Sequence, residues 1–112
     1  MYKLIAIDLD GTLLNSYGII SEEDKVVLKK AIENDVKIIL TSGRSIMSVK
    51  NFANEIGAND CIICGNGSLV YNIQKDEIIY KKYIDKKKVL QIIKICEDNS
   101  IYYNVFTQDT IL

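Results

Sequence analysis

Three short apolar runs stop abruptly at small polar residues: Leu4-Ile5-Ala6-Ile7, Val36-Lys37-Ile38-Ile39-Leu40 and Cys61-Ile62-Ile63-Cys64. Runs of this length without polar alternation read as strands buried on both faces, as in a parallel sheet. Two stretches with helical spacing separate them. Ser21-Glu22-Glu23-Asp24 is a capping-box-like start, followed by Val27, Leu28, Ala31 and Ile32 as one apolar stripe. Ser45 opens the second stretch, where Val49, Phe52, Ala53 and Ile56 share a face ahead of Gly57, a C-terminal stop. The order β-α-β-α-β with short links predicts parallel strands, right-handed crossovers and helices packed on the sheet. It brings three polar strand ends to one end of the sheet, where ligands bind in open α/β folds.

The texture changes after Ser68. Leu69–Asn72 and Glu77–Tyr80 flank a plausible hairpin turn. Asp85 is placed to cap a third helix with Val89, Ile92, Ile93 and Cys96 on its apolar side, and Ile101–Phe106 reads as a further strand. Thr107–Leu112 reads as a turn entering another strand. A boundary near residues 80–84 divides the chain into a first domain over 1–82 and the start of a second over 83–112.

Composition excludes several classes. A net charge of -1 gives no electrostatic argument for nucleic acid or an anionic membrane. No apolar run approaches a membrane span, and acids arrive too early for a signal peptide, so a cytoplasmic protein is expected. Cys61 and Cys64 match C-x-x-C formally, but side chains three apart on a strand point to opposite faces and read as structural cysteines. The chain has no histidine. Ser-His-Asp and Cys-His catalysis are therefore unavailable within it, and chemistry falls to carboxylates, lysines or a metal.

The first run ends in Asp8-Leu9-Asp10-Gly11-Thr12. Two carboxylates at the mouth of a buried strand are costly unless paired, and a cation is the obvious candidate. A strand-end carboxylate can bind Mg²⁺ or attack phosphorus to give an aspartyl-phosphate. A second acid two residues on can protonate the leaving oxygen and then activate water. A hydroxyl such as Ser42, with backbone N–H groups at a helix start, can hold phosphate oxygens.

These residues carry a family resemblance. Asp8-Leu9-Asp10-Gly11-Thr12 after an apolar strand resembles the first motif of the haloacid dehalogenase (HAD) superfamily. Thr41-Ser42-Gly43-Arg44 resembles the second-motif region of its Cof-type phosphatases, and Asn66-Gly67-Ser68 the segment at their third strand. The resemblance implies the N-terminal half of a HAD-like (Rossmannoid) α/β parallel sheet, followed by the beginning of an α/β cap domain. It implies a Mg²⁺-dependent phosphomonoester hydrolase acting on small phosphorylated metabolites, with sugar phosphates as a class-level expectation.

The implied roles are specific. Asp8 would be nucleophile and metal ligand. Asp10 would be the general acid/base, with its backbone carbonyl on the metal. Ser42, Gly43 and Asn66 would contact the phosphate, and Thr12 would bond to Asp10 or the loop. Asn66 is equally readable as a structural turn, and Arg44 as an exposed helix-start residue or a substrate contact. The family's later lysine and acidic motif have no counterpart in the sequence, so the implied site is incomplete in this chain. The first strand, central in the family's sheet, would become an apolar edge prone to self-association. The alternative reading is a non-catalytic remnant or a small metal- or phosphate-binding module.

Overall fold

The computed structural model describes residues 1–107. The chain divides into two compact units, Met1–Lys81 and Lys82–Leu112. In the first unit five strands form one sheet in the order β1-β2-β3-β4-β5. They are β1 (Leu4–Asp8), β2 (Lys37–Thr41), β3 (Cys61–Cys64), β4 (Leu69–Asn72) and β5 (Glu77–Lys81). The first three run parallel, with helix α1 (Glu22–Glu33) and helix α2 (Ile46–Ile56) in the crossovers. The predicted hairpin is β4–β5. It does not stand apart: β4 pairs antiparallel with β3, so the α/β sheet is mixed.

Local chemistry sets the helix ends. Ser21 Oγ accepts the Asp24 N–H at 3.1 Å and donates to Asp24 Oδ2 at 2.7 Å, closing the predicted cap of α1. Ser45 Oγ accepts the Ser48 N–H at 3.4 Å and starts α2, and Gly57, at φ 75°, ends it. On α2, Val49, Ala53 and Ile56 are fully buried and pack with Leu40 and Ile62 of the sheet. On α1, Leu28 is buried and Ala31 and Ile32 are half-buried, while Val27 of the expected stripe is exposed.

Two readings are corrected. The first apolar run is not buried on both faces: β1 is the edge strand, with Leu4 51% and Ile5 40% exposed. An apolar sequence supplies the tendency to be covered, but covering needs a neighbouring strand, and among the described residues β1 pairs only with β2. Ile101–Phe106 does not form a strand over its length, because residues 101–105 carry no regular structure. Their β-forming composition expresses itself only against a partner strand. The expected turn from Thr107 onwards falls largely outside the described residues.

A side-chain clasp ties α2 to the hairpin. Lys50 Nζ lies 3.1 Å from Tyr71 Oη and 3.0 Å from Asp76 Oδ1, and the Tyr71 hydroxyl also bonds to Asp76. In the second unit, helix α3 (Lys86–Asp98) begins at Asp85, whose carboxylate accepts the Lys87 and Lys88 N–H groups as predicted. Val89, Ile93 and Cys96 are half-buried there and Ile92 is exposed. Among the described residues no helix is long and apolar enough to cross a membrane. Cys61, Cys64 and Cys96 are free thiols.

Candidate active site

The parallel strands end level. Asp8, the last residue of β1, is paired with Thr41 on β2, and Thr41 in turn with Ile63 on β3. Asp8 is exposed at this end. Leu9 is fully buried and anchors the chain as it turns. The turn closes where the Leu14 N–H reaches the Leu9 carbonyl at 2.9 Å, and Gly11 takes φ 78°, a left-handed conformation that glycine adopts without strain. Thr12 is brought back over the strand end, where its hydroxyl donates to Asp8 Oδ2 at 3.2 Å. Its partner is therefore Asp8 and not Asp10: four residues of turn return Thr12 to the strand that the turn left.

Asp10 is held from across the sheet end. Arg44 Nε donates to Asp10 Oδ2 at 2.8 Å and Arg44 Nη2 to Asp10 Oδ1 at 2.7 Å, a bidentate pair. The hydrogen bonds from Arg44, with a smaller contribution from its charge, hold the Asp10 carboxyl below its ordinary value. The same pair pushes Arg44 upward. Arg44 is itself braced by α2, through Nη1 to Ser48 Oγ at 3.3 Å and through the Phe52 ring, whose centroid lies 5.4 Å away. Of the two readings of Arg44, neither named this partner.

The β2 and β3 loops are stitched together beyond the strands. The Ser42 N–H donates to the Ile63 carbonyl at 3.0 Å, the Asn66 N–H to the Ser42 carbonyl at 3.2 Å, and the Gly65 N–H to the Arg44 carbonyl at 3.1 Å. Ser42 is 7% exposed, and its Oγ accepts the Arg44 N–H at 3.2 Å. Asn66 takes φ 55° and lays its amide against Gly43. In this geometry the Asn66 backbone ties the two loops together.

The structure thus brings Asp8 together with Thr12, Asp10 with Arg44, and Ser42 and Gly43 with Asn66. The Asp10–Arg44 pair is what sequence reasoning missed. The available signal was a lone arginine just past a polar strand end, opposite two acids. A cavity of about 430 Å³ lies at the opposite end of the sheet, near Asp35, Lys37 and Asp60, away from these groups.

A hard cation such as Mg²⁺ needs oxygen donors but keeps several waters, so one or two protein ligands suffice. Asp8 offers a carboxylate that accepts one hydrogen bond from Thr12. The Asp10 carboxylate is committed to Arg44, which leaves its backbone carbonyl as the donor the resemblance implies. Among the described residues no group of three or more His, Cys, Asp or Glu side chains is placed to hold a metal. The donor set fits a partly hydrated Mg²⁺, and does not fit an all-protein cage.

Comparison with known proteins identifies the family of the chain. Residues 5–112 match the haloacid dehalogenase-like hydrolase family. The chain is 34% identical over 109 residues to Phosphatase YwpJ of Bacillus subtilis (strain 168), covering 97% of this chain and 38% of that protein. It is 31% identical over 110 residues to the 5-amino-6-(5-phospho-D-ribitylamino)uracil phosphatase YwtE of the same organism, covering 98% and 37%. A solved haloacid dehalogenase-like hydrolase from B. subtilis superposes with a TM-score of 0.86 at 34% identity, covering 97% of this chain and 38% of that one. Another, from Bacteroides thetaiotaomicron, gives 0.88 at 28% identity, covering 99% and 43%. The chain therefore spans about two-fifths of the length of the relatives it matches. With matches extending over nearly all of its own length, the chain belongs to the haloacid dehalogenase-like hydrolases.

Proposed function

We propose that this chain carries the nucleophile-bearing part of a Mg²⁺-dependent, Cof-type phosphomonoesterase acting on small phosphorylated metabolites. The observation that carries the reading is the level ending of β1, β2 and β3. It sets the exposed Asp8 carboxylate one strand away from the Ser42–Gly43 loop. Asp8 Oδ forms a bond to phosphorus as the ester P–O bond breaks, and Asp10 gives the leaving oxygen its proton. Asp10 then takes a proton from water as the water displaces Asp8 and releases phosphate. Ser42, Gly43 and Asn66 supply donors to the phosphoryl oxygens. Bound Mg²⁺ would offset repulsion between an anionic ester and two aspartates.

Relatives named as 5-amino-6-(5-phospho-D-ribitylamino)uracil phosphatases support the substrate class without selecting a compound. Residues 1–82 would be the partial core and 83–112 the start of a cap. Full turnover would draw on a lysine and further acids that this chain does not supply. We also place the protein in the cytoplasm and assign the apolar β1 edge to self-association.

The test is hydrolysis of an aryl phosphate by the purified chain with Mg²⁺, alongside ¹⁹F NMR of beryllofluoride, which mimics an aspartyl-phosphate. Activity or a bound beryllofluoride signal that disappears in Asp8→Asn is the expected result. Absence of both in the native chain would sink the reading and favour a non-catalytic module.

A further inference from the structure

Each Asp10 oxygen accepts one hydrogen bond from Arg44, and three of the five Arg44 N–H donors are engaged. Nε and Nη2 hold Asp10, Nη1 holds Ser48 Oγ, and the plane rests against Phe52. A carboxylate gripped on both oxygens by a guanidinium is held in its ionised form, the wrong form for giving a proton to a leaving oxygen. For the proposed reaction to run, the pair must open. Arg44 and Asp10 are 36% and 59% exposed, and ion pairs this open to water are readily exchanged. A phosphate presents to a guanidinium the same two-oxygen edge as a carboxylate. Ser48 and Phe52 both lie on α2, so Arg44 stays braced when Asp10 leaves.

We propose that Arg44 parks Asp10 in the unloaded site and exchanges it for an oxyanion of the incoming phosphate ester. Substrate arrival and release of the acid/base are then one event. An empty site holds the Asp10 carboxylate on Arg44, and a filled one frees it. The inference rests on the phosphatase reading of Asp8 and Asp10, and it adds how that site recognises that it is loaded.

The experiment titrates the full chain with inorganic phosphate in the presence of Mg²⁺, following the Arg44 Nε–H signal and the Ser42 and Gly43 amides by NMR. The Arg44 signal is expected to move with the same midpoint as the amides. Asp10→Asn is expected to tighten phosphate roughly fivefold or more, because the guanidinium no longer has to be taken from a carboxylate. That gain should fall below about twofold when Arg44 is also replaced by alanine, or by glutamine should the alanine variant not fold. If the amides move while Arg44 stays put, or the Asp10→Asn gain persists without Arg44, exchange is overturned and the phosphatase reading stands. If all three signals stay unmoved, both fall.

Discussion

The side-chain amide of Asn66 occupies the space that a side chain on Gly43 would need. A Cβ on Gly43 would meet Asn66 Oδ1 at 2.8 Å and Nδ2 at 3.2 Å. Gly43→Ala is therefore expected to cost about 1–2 kcal/mol through overpacking. Asn66→Gly alone should be mild, because φ 55° suits glycine. In the double variant most of the Gly43→Ala cost should vanish, a coupling of about 1 kcal/mol in urea denaturation. Additive costs would show that the two loops do not meet in this way.

Burial pushes the Cys64 thiol up from 9 to about 11. At pH 8 about one molecule in a thousand then carries the thiolate, and the sulfur is wholly buried. Cys64 should be inert to a disulfide reagent in the native chain and react only on unfolding, with the half-buried Cys96 reacting first. An acid with a raised folded pKa stabilises the fold below its unfolded value and loses that contribution as pH rises. The window here runs from about 9 to about 11 and amounts to about 2–3 kcal/mol. Unfolding of the native chain and Cys64→Ala at pH 8 and pH 11 checks this: the native chain should lose the more.

Strand position sets mutational cost. Leu40 and Ile62 lie inside the sheet with no exposed surface, and alanine at either should cost about 2–5 kcal/mol. Leu4, half-exposed on β1, should cost about 1 kcal/mol or less. A Leu4→Ala cost equal to that of Leu40→Ala would mean that β1 is covered in solution.

The exposed edge also predicts association. The native chain should sediment with a concentration-dependent mass, and Ile5→Lys should make it monomeric with little loss of stability. A native chain that stays monomeric across the accessible concentrations would remove the edge from the account.

Much of the fold was legible because its signals are local. Ser21 and Ser45 announce helix starts by residue type, Gly57 announces a stop, and the apolar runs announce strands. The site was legible in its parts for the same reason: Asp8 ends an apolar strand, and Asp10 and Ser42 lie just past strand ends. What could not be read depends on partners. The apolar run by itself reads Leu4 and Ile5 as covered; their exposure is decided by a neighbour beyond β1, and the edge was expected only through the resemblance. Whether Ile101–Phe106 becomes a strand is likewise decided by something to pair with. The link between Arg44 and Asp10 spans two strand ends and leaves no spacing for a sequence to show. Thr12, expected on Asp10 or the loop, bonds to Asp8 instead, because the tightness of the Gly11 turn returns it to the strand end.

β1 meets its partner only across α1, whereas β3, β4 and β5 follow one another through tight turns. Closing the longer loop costs more chain entropy, and a strand with one ladder has less to hold it than a strand with two. The strand that ends in Asp8 should be the first to peel from the sheet and the last to re-form. Amide exchange at Ile5 and Ala6 should accordingly outpace exchange at Ile62; equal protection would contradict this. On that view the acidic pair is an intermittent object, and its occupancy in time sets the ceiling on any chemistry it performs.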